Sequence, residues 1–166
     1  RCDEAFELGA QRLTPITLQL TYLVTGTIDD MLLPPETAPT RTDGLWNHTC
    51  FEAFIRAPSH SGYHEFNFAP STQWAPYAFD AYREGMRAVT TEPPHIEIRS
   101  DGNSFELCAR FAPGLDTNMP WQLALSAVIE EKNGGKSWWA LAHPGAKPDF
   151  HHPDSFTLEL PAADIP

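Results

Sequence analysis

The sequence lacks any cluster of basic side chains. Its 166 residues include 11 lysines and arginines, scattered singly, against 22 aspartates and glutamates, for a formal net charge of −11. Proteins that bind nucleic acids or anionic membranes normally present a basic patch, because neutralising phosphates releases counterions. The composition therefore argues against both kinds of partner.

Long apolar runs and paired cysteines are missing as well. No apolar stretch approaches the roughly 20 residues that a membrane-spanning helix needs. Cys2, Cys50 and Cys108 lie far apart and form no Cys-x-x-Cys motif, so neither a zinc knuckle nor a redox pair is indicated. Isolated thiols favour a reducing compartment, and we expect a cytoplasmic location. Because the sequence starts at Arg1 rather than at methionine, a removed signal peptide stays open as the alternative.

The motifs of several common enzyme classes are also missing. The sequence contains no Gly-x-Ser-x-Gly, no glycine-rich phosphate loop and no His-Glu-x-x-His. The pair Gly134-Gly135 follows Asn133 between two strand-like segments, which is typical of a hairpin turn. We therefore predict a protein that binds a ligand rather than an enzyme, with no catalytic residues and no metal.

Strand patterning, in contrast, is abundant. Hydrophobic residues alternate with polar ones in residues 16–24, which is the period of two expected for a half-buried strand. Asp101-Gly102 and Asn133-Gly134-Gly135 lie between further alternating segments and predict two hairpins. The predicted strands cover residues 16–24, 31–33, 46–56, 63–69, 75–82, 95–99, 105–111, 121–131, 137–142 and 156–160.

This pattern, with almost no helical periodicity, gives about eight to ten strands separated by short turns. It predicts an all-β fold, a two-sheet antiparallel β-sandwich of jelly-roll type, formed as one domain over residues 1–166. The residues predicted to share one core are Leu18, Leu20, Phe105, Leu107, Leu125 and Ile129.

Polar side chains stand on two of the predicted strands. Glu52 lies amid apolar residues, and Glu65 and Asn67 alternate with Phe66 and Phe68. Carboxylates and an amide projecting from adjacent strands would form a row of hydrogen-bonding groups able to hold a polyhydroxylated ligand. The same row is equally typical of the solvent-facing side of a sheet, so both interpretations stay open.

Tryptophans supply the candidate stacking surfaces. Trp46 follows Asp43-Gly44, and Trp74 lies in a predicted loop, where an aromatic ring can stack on the C–H face of a pyranose or act as a structural lid. Trp138 and Trp139 point to opposite sides of one strand, so at least one lies outside the core layer. We include Trp139 in the candidate ligand site.

The densest polar cluster is residues 148–154, which contain His151 and His152. Histidine can exchange a proton near neutral pH, but adjacent side chains on an extended chain point in opposite directions and seldom bind one ion. We include both histidines in the candidate ligand site. The alternative is a structural loop in which they cap backbone groups.

Four segments in matching order carry a resemblance to a known family. Leu45–Phe54, Tyr63–Ser71, Ala127–Glu130 and Pro148–His152 resemble the bacterial DOMON-like domains, which are similar to family-nine carbohydrate-binding modules and to the haem- or sugar-binding DOMON superfamily. The resemblance implies a β-sandwich whose ligand is a sugar or a haem. Some relatives are fused to a reductase of peptidoglycan-precursor synthesis, which implies a connection with the cell wall.

Haem-binding relatives use a methionine and a histidine as axial ligands. The side chains here that offer those atoms are Met31, Met86, Met119, His151 and His152. We expect no cofactor, with haem as the alternative.

The leading functional interpretation is a non-catalytic module for a saccharide or a related small polar ligand. One alternative is a protein-interaction or regulatory domain without a small ligand, which would expose an apolar patch or form a homo-oligomer through an edge strand. Another is a haem-binding electron-transfer domain. The candidate ligand-binding residues are Trp46, Glu52, Glu65, Asn67, Trp74, Trp139, His151 and His152.

Overall fold

The computed structural model describes residues 5–163, which contain eleven β-strands and three short 3-10 helices. The 3-10 helices are η1 (Ile28–Asp30), η2 (Leu45–Asn47) and η3 (Pro153–Ser155). The strands are β1 (Ala5–Arg12), β2 (Leu18–Thr25), β3 (Cys50–Arg56), β4 (Tyr63–Phe68), β5 (Trp74–Phe79), β6 (Arg87–Ala88), β7 (His95–Ser100), β8 (Ser104–Phe111), β9 (Trp121–Glu130), β10 (Lys136–Ala140) and β11 (Leu158–Leu160). No helix among the described residues is long and apolar enough to cross a membrane.

The strands form two antiparallel sheets. Sheet A has four strands in the order β1-β2-β8-β7. Sheet B has the order β10-β9-β3-β4-β5-β6, and β11 also pairs with β9. The prediction of an all-β, two-sheet antiparallel sandwich is confirmed.

The main core lies between the two sheets. All six predicted core residues are buried in it, from Leu18 and Leu20 on β2 to Leu125 and Ile129 on β9. Sheet B contributes Phe51, among others, and its ring stacks on Phe105 of sheet A at 5.6 Å between centroids. Each fully buried aliphatic or aromatic side chain of this kind contributes about 1.5–3 kcal/mol to folding, so the alternating pattern determines how the sheets face each other.

The structure corrects the predicted elements at several places. β1 and β6 are additional to the predicted strands, and residues 31–33 form no strand beyond an isolated bridge between Met31 and Glu131. Trp74 begins β5 instead of lying in a loop. Residues 46–49 precede β3, with Trp46 in η2, and the last strand begins at Leu158 rather than at residue 156.

Sheet B also has a second covered face. A smaller apolar cluster lies there, away from sheet A, and the chain between β10 and β11 packs over it through Phe150 and Phe156. Because this sheet is covered on both faces, β3, β4 and β5 are buried at almost every position instead of alternating between buried and exposed. The candidate site lies on this second face.

Candidate ligand-binding cleft

A cleft of about 420 Å³ opens on the second face of sheet B. Its floor comes from β3, β4 and β9, and its walls come from η2, from β10, from the turn after β5 and from residues 148–151. The lining side chains are Trp46, Glu52, Glu65, Phe79, Arg83, Met86, Val128, Trp138, Pro148, Phe150 and His151.

Two carboxyl groups lie at the floor of the cleft. Glu52 on β3 is directly opposite Asn67 on β4 and opposite Ser126 on β9, whose hydroxyl donates to Glu52 Oε2 at 3.4 Å. Glu65 stands two residues before Asn67 and therefore on the same face. The exposed fractions of Glu52, Glu65 and Asn67 are 3%, 4% and 0%. These three polar side chains lie on the face of the sheet that their alternation with apolar residues predicted, but loop segments cover that face and bury them.

Burial changes the acidity of both carboxyl groups. It raises the pKa of Glu52 well above its usual range, and the negative charge of Glu65 raises it further. Burial also raises the pKa of Glu65, to about 7, against the opposing effect of Arg83. Near pH 7 Glu65 is therefore close to its titration midpoint, and burial favours the protonated form of Glu52.

His151 lies between Glu65 and a tyrosine. Its Nδ1 is 2.8 Å from the Tyr63 hydroxyl, which also accepts the backbone N–H of Arg83 at 3.1 Å, and its Nε2 is 3.5 Å from Glu65 Oε1. Burial lowers the pKa of His151 to about 4, so the ring is neutral near pH 7. A proton on Nε2 faces the Glu65 carboxyl and leaves Nδ1 to accept from Tyr63. This tautomer satisfies both neighbours.

Two indole rings border the cleft and remain partly exposed, Trp46 at 39% and Trp138 at 46%. Trp46 packs edge-on against Tyr77, with 5.8 Å between ring centroids. Trp138 on β10 pairs with Val128 and shares its face of sheet B. Lys136 donates from Nζ to the carbonyl of Asn47 at 2.8 Å, which ties the turn carrying Trp46 to the strand carrying Trp138.

Among the described residues, one cation, Arg83, lines the cleft. Arg83 donates to Asp149 Oδ1 at 2.8 Å, and Asp149 also accepts a hydrogen bond from Tyr82. Arg83 has a φ of 54°, in the left-handed region that is costly for a residue with a side chain. The ion pair joins the turn after β5 to residues 148–151 and offsets the charge of the guanidinium.

The structure brings four of the predicted ligand-binding residues together at the cleft: Trp46, Glu52, Glu65 and His151. Asn67 lies beneath the same face but is fully buried. Three other residues lie elsewhere. Trp74 is buried in the main core, Trp139 packs against that core with its ring 5.8 Å from Phe6, and His152 accepts the backbone N–H of Asp154 at the start of η3.

Trp138, rather than Trp139, is the indole of β10 that borders the cleft. The hairpin register contained the signal, because Trp139 pairs with Ala127, which lies on the same face of β9 as the core residues Leu125 and Ile129. Arg83 and Met86 lie in an irregular turn, where no periodic pattern identifies them.

The polar groups around the cleft do not form an evident metal or haem site. Within residues 5–163, no group of three or more His, Cys, Asp and Glu side chains is placed to hold a metal ion. For haem, His151 faces Tyr63 and Glu65 with its two ring nitrogens, and His152 uses Nδ1 at the cap of η3. Met31 is buried in the main core. Met86 lines the same cleft as His151, whose ring could ligate a haem iron only by giving up its contact with Tyr63 or with Glu65.

Comparison with solved structures gives a fold relative. A crystal structure of a "putative carbohydrate-binding protein" from Bacteroides uniformis is similar to this chain, with a TM-score of 0.69 and 14% sequence identity. The alignment covers 93% of this chain and 77% of that one. At this identity the likeness concerns the fold. No protein-family model and no curated protein matches the chain, so the resemblance to DOMON-like domains stays a prediction.

Proposed function

We propose that this chain is a non-catalytic binding domain that takes a carbohydrate, or a closely related neutral and hydroxyl-rich ligand, in the cleft on sheet B. The observation that carries the proposal is the pairing of two partly exposed indoles, Trp46 and Trp138, with two buried carboxyl groups, Glu52 and Glu65. Aromatic rings pack against the C–H faces of a sugar, and carboxyl groups bond its hydroxyls. A cleft with both kinds of group matches a pyranose chemically.

The electrostatics of the cleft favour a neutral ligand. Within the part of the chain that the structure describes, Arg83 is the one cation of the lining, and it is already paired with Asp149. Glu65 supplies negative charge as the pH rises, and the whole chain has a formal net charge of −11. An anionic ligand would be repelled unless a cation accompanied it.

Two comparisons support the same ligand class. The similar fold from Bacteroides uniformis belongs to a protein described as a "putative carbohydrate-binding protein". The DOMON-like resemblance, which includes the segments around Trp46, Glu52, Glu65 and His151, also implies a sugar or haem ligand. A haem iron bound to His151 would break one of the two polar contacts of that ring, whereas a sugar leaves both in place.

The experiment is a thermal-shift screen of the purified protein against glucose, galactose, xylose, N-acetylglucosamine, cellobiose and chitobiose, with haemin in a parallel series. Binding to the native state raises the melting temperature, by an amount that grows with ligand concentration. We expect at least one saccharide to do so and to be recovered chemically unchanged. If none of the sugars produces a shift, or if a sugar is consumed, the proposal is wrong.

A further inference from the structure

The floor of the cleft holds polar atoms without protein partners. Directly beneath the floor, Asn67 is fully buried, and neither its Oδ1 nor its Nδ2 has a hydrogen-bond partner among residues 5–163. Among the described residues, the one polar contact of the Glu65 carboxyl is His151 Nε2, 3.5 Å from Oε1, and Glu52 has one hydrogen bond, from Ser126 to Oε2. Buried polar atoms without partners are costly, so this floor is suited to receive hydrogen bonds from a ligand or from water.

The two carboxyl groups differ in what they can offer. Burial and the negative charge of Glu65 raise the pKa of Glu52 well above its usual range and so favour its protonated form, which can donate a hydrogen bond. Glu65 lies beside His151 Nε2 and near Arg83. A ring N–H and a positive charge both favour the ionised form of Glu65, which accepts hydrogen bonds. One carboxyl group is thus a donor, and its neighbour is a potential acceptor.

We propose that Glu52 and Glu65 together bind one hydroxyl group of the ligand, with Glu52 as the donor to its oxygen and Glu65 as the acceptor of its proton, and that binding expels the proton carried by Glu65. This inference rests on the proposed function. The neutral Glu65 carboxyl group becomes a carboxylate that accepts the hydroxyl hydrogen, and its own proton passes to the solvent. No covalent bond of the ligand changes.

The groups around Glu65 act on its charge state in opposite directions. Arg83 favours the carboxylate, but Asp149 pairs with Arg83 and offsets it. His151 is neutral near pH 7 and contributes no charge. The titratable or charged groups that face Glu65 from the packed elements are Cys50 and Glu52 on β3, Tyr63 on β4, Tyr77 on β5, Arg83 from the turn after β5, and His151. Asp149 lies behind them as the partner of Arg83.

Burial raises the pKa of each of the thiol and phenol groups in this set, so Cys50, Tyr63 and Tyr77 stay protonated near pH 7. A hydrogen bond from the ligand to the carboxylate is charge-assisted and stronger than a neutral one. It therefore shifts the balance toward ionised Glu65.

This arrangement determines selectivity. A hydroxyl group both accepts and donates, whereas a methyl ether at the same position only accepts and leaves the Glu65 carboxylate unpaired. A carboxylate ligand would face a second negative charge. The site therefore selects a free hydroxyl over its O-methyl derivative and over an acid.

The test is isothermal titration calorimetry with the tightest-binding saccharide of the screen, at pH 6 in phosphate and in MES buffer and at pH 8 in HEPES and in Tris buffer. The two buffers of each pair take up protons with different enthalpies, so the difference between them counts the protons released. We expect release of close to one proton at pH 6 and little at pH 8. Because only ionised Glu65 binds well, affinity should rise about tenfold between these two pH values.

Three variants assign the effect. Glu65→Gln should weaken binding at pH 8 by roughly ten- to hundredfold and abolish the pH dependence. Glu52→Gln keeps an N–H donor and should retain the pH dependence with a smaller loss of affinity. Glu106→Gln, on β8 of sheet A away from the cleft, is the matched control and should change neither.

The outcomes separate this inference from the proposed function. A saccharide that binds with pH-independent affinity and no proton release overturns the inference and leaves the proposed function standing. Proton uptake, or a pH dependence that survives Glu65→Gln, overturns it as well. If no saccharide of the screen binds, both fail.

Discussion

At the scale of single residues, the neighbouring tryptophans of β10 have separate roles. Trp138 borders the cleft and is nearly half exposed, whereas Trp139 lies on the opposite face against the main core and its Nε1 donates to Ser137 Oγ at 2.9 Å. One residue step along a strand moves a side chain from one face of the sheet to the other. Substitutions at these two positions should therefore affect different properties.

We predict that Trp138→Ala weakens saccharide binding by roughly tenfold, because it removes a stacking surface worth about 1 kcal/mol or more. Its melting temperature should change little, since the ring is partly exposed. Trp139→Phe is the matched control, which should lower the melting temperature and leave affinity unchanged. Calorimetry and thermal unfolding of both variants measure the difference, and a loss of binding confined to Trp139→Phe would contradict the assignment.

The alternation of Phe66 and Phe68 with Glu65 and Asn67 was enough to predict which face of sheet B carries the polar row. It did not predict that the row is buried. The side chains that cover this face, such as Phe150, come from loops distant in sequence, and periodicity within a strand carries no information about them. Trp74 shows the same limit, since its position in a loop or a strand depended on where β5 begins.

At the scale of elements, the turn between β5 and β6 forms one wall of the cleft and depends on Gly85. Gly85 has a φ of 72°, and a Cβ there would collide with the side chain of Asp80. Asp80 is itself held by Arg87 at 2.8 Å. The turn therefore has little freedom to adjust, and it presents both Arg83 and Met86 to the cleft.

We predict that Gly85→Ala destabilises the protein by about 1–2 kcal/mol, because the left-handed backbone conformation alone costs an L-residue about that much. The collision with Asp80 adds to this cost. The shifted turn should also weaken saccharide binding. Gly102→Ala is the control, since Gly102 has no positive φ and no atom lies within 4 Å of the position that its new methyl group would take. Urea unfolding and calorimetry test both variants, and equal behaviour of the two would show that the turn is not constrained.

The elements that were predicted correctly are those whose pattern is local. Residues 95–111 and 121–142 contain alternating segments around turn-forming glycines, and both hairpins are present. β1 is different, because Glu7, Leu8, Ala10 and Gln11 favour a helix as readily as a strand and Gly9 favours neither. It becomes a strand by pairing along its length with β2, which is a tertiary effect.

At the scale of the whole molecule, the second covered face of sheet B determines how stability responds to pH. Glu52 and Glu65 are buried there with raised pKa values, and His151 is buried there with a lowered pKa. The folded protein therefore holds protons on the two carboxyl groups over a pH range in which the unfolded chain has lost them. Over part of that range it also excludes a proton from His151 that the unfolded chain binds.

The signs of these contributions differ. Since the folded pKa of Glu65 is about 7 against an ordinary value of 4.5, its contribution to stability is present below pH 4.5 and is lost as the pH rises to 7. The raised pKa of Glu52 changes stability in the same direction. The pKa of His151 is about 4 in the folded protein against an ordinary value of 6.5. Its contribution to stability therefore grows as the pH rises between those values and cancels the loss from one carboxyl group. The three together lower stability as the pH rises from 4.5 through neutrality.

We predict that Glu65→Gln raises the free energy of unfolding at pH 8 by about 1–3 kcal/mol and has almost no effect at pH 4.5. Glutamine is neutral at both pH values, so the variant escapes the cost that the wild-type protein meets when Glu65 ionises in its buried position. Urea unfolding at the two pH values measures the difference. Glu106→Gln on sheet A is the control, and it should leave the free energy of unfolding unchanged at both. An equal effect at pH 4.5 and pH 8 would mean that Glu65 does not titrate in the folded state. The same variant that loses ligand affinity should thus gain stability at pH 8, which would not occur if Glu65 served only to maintain the fold.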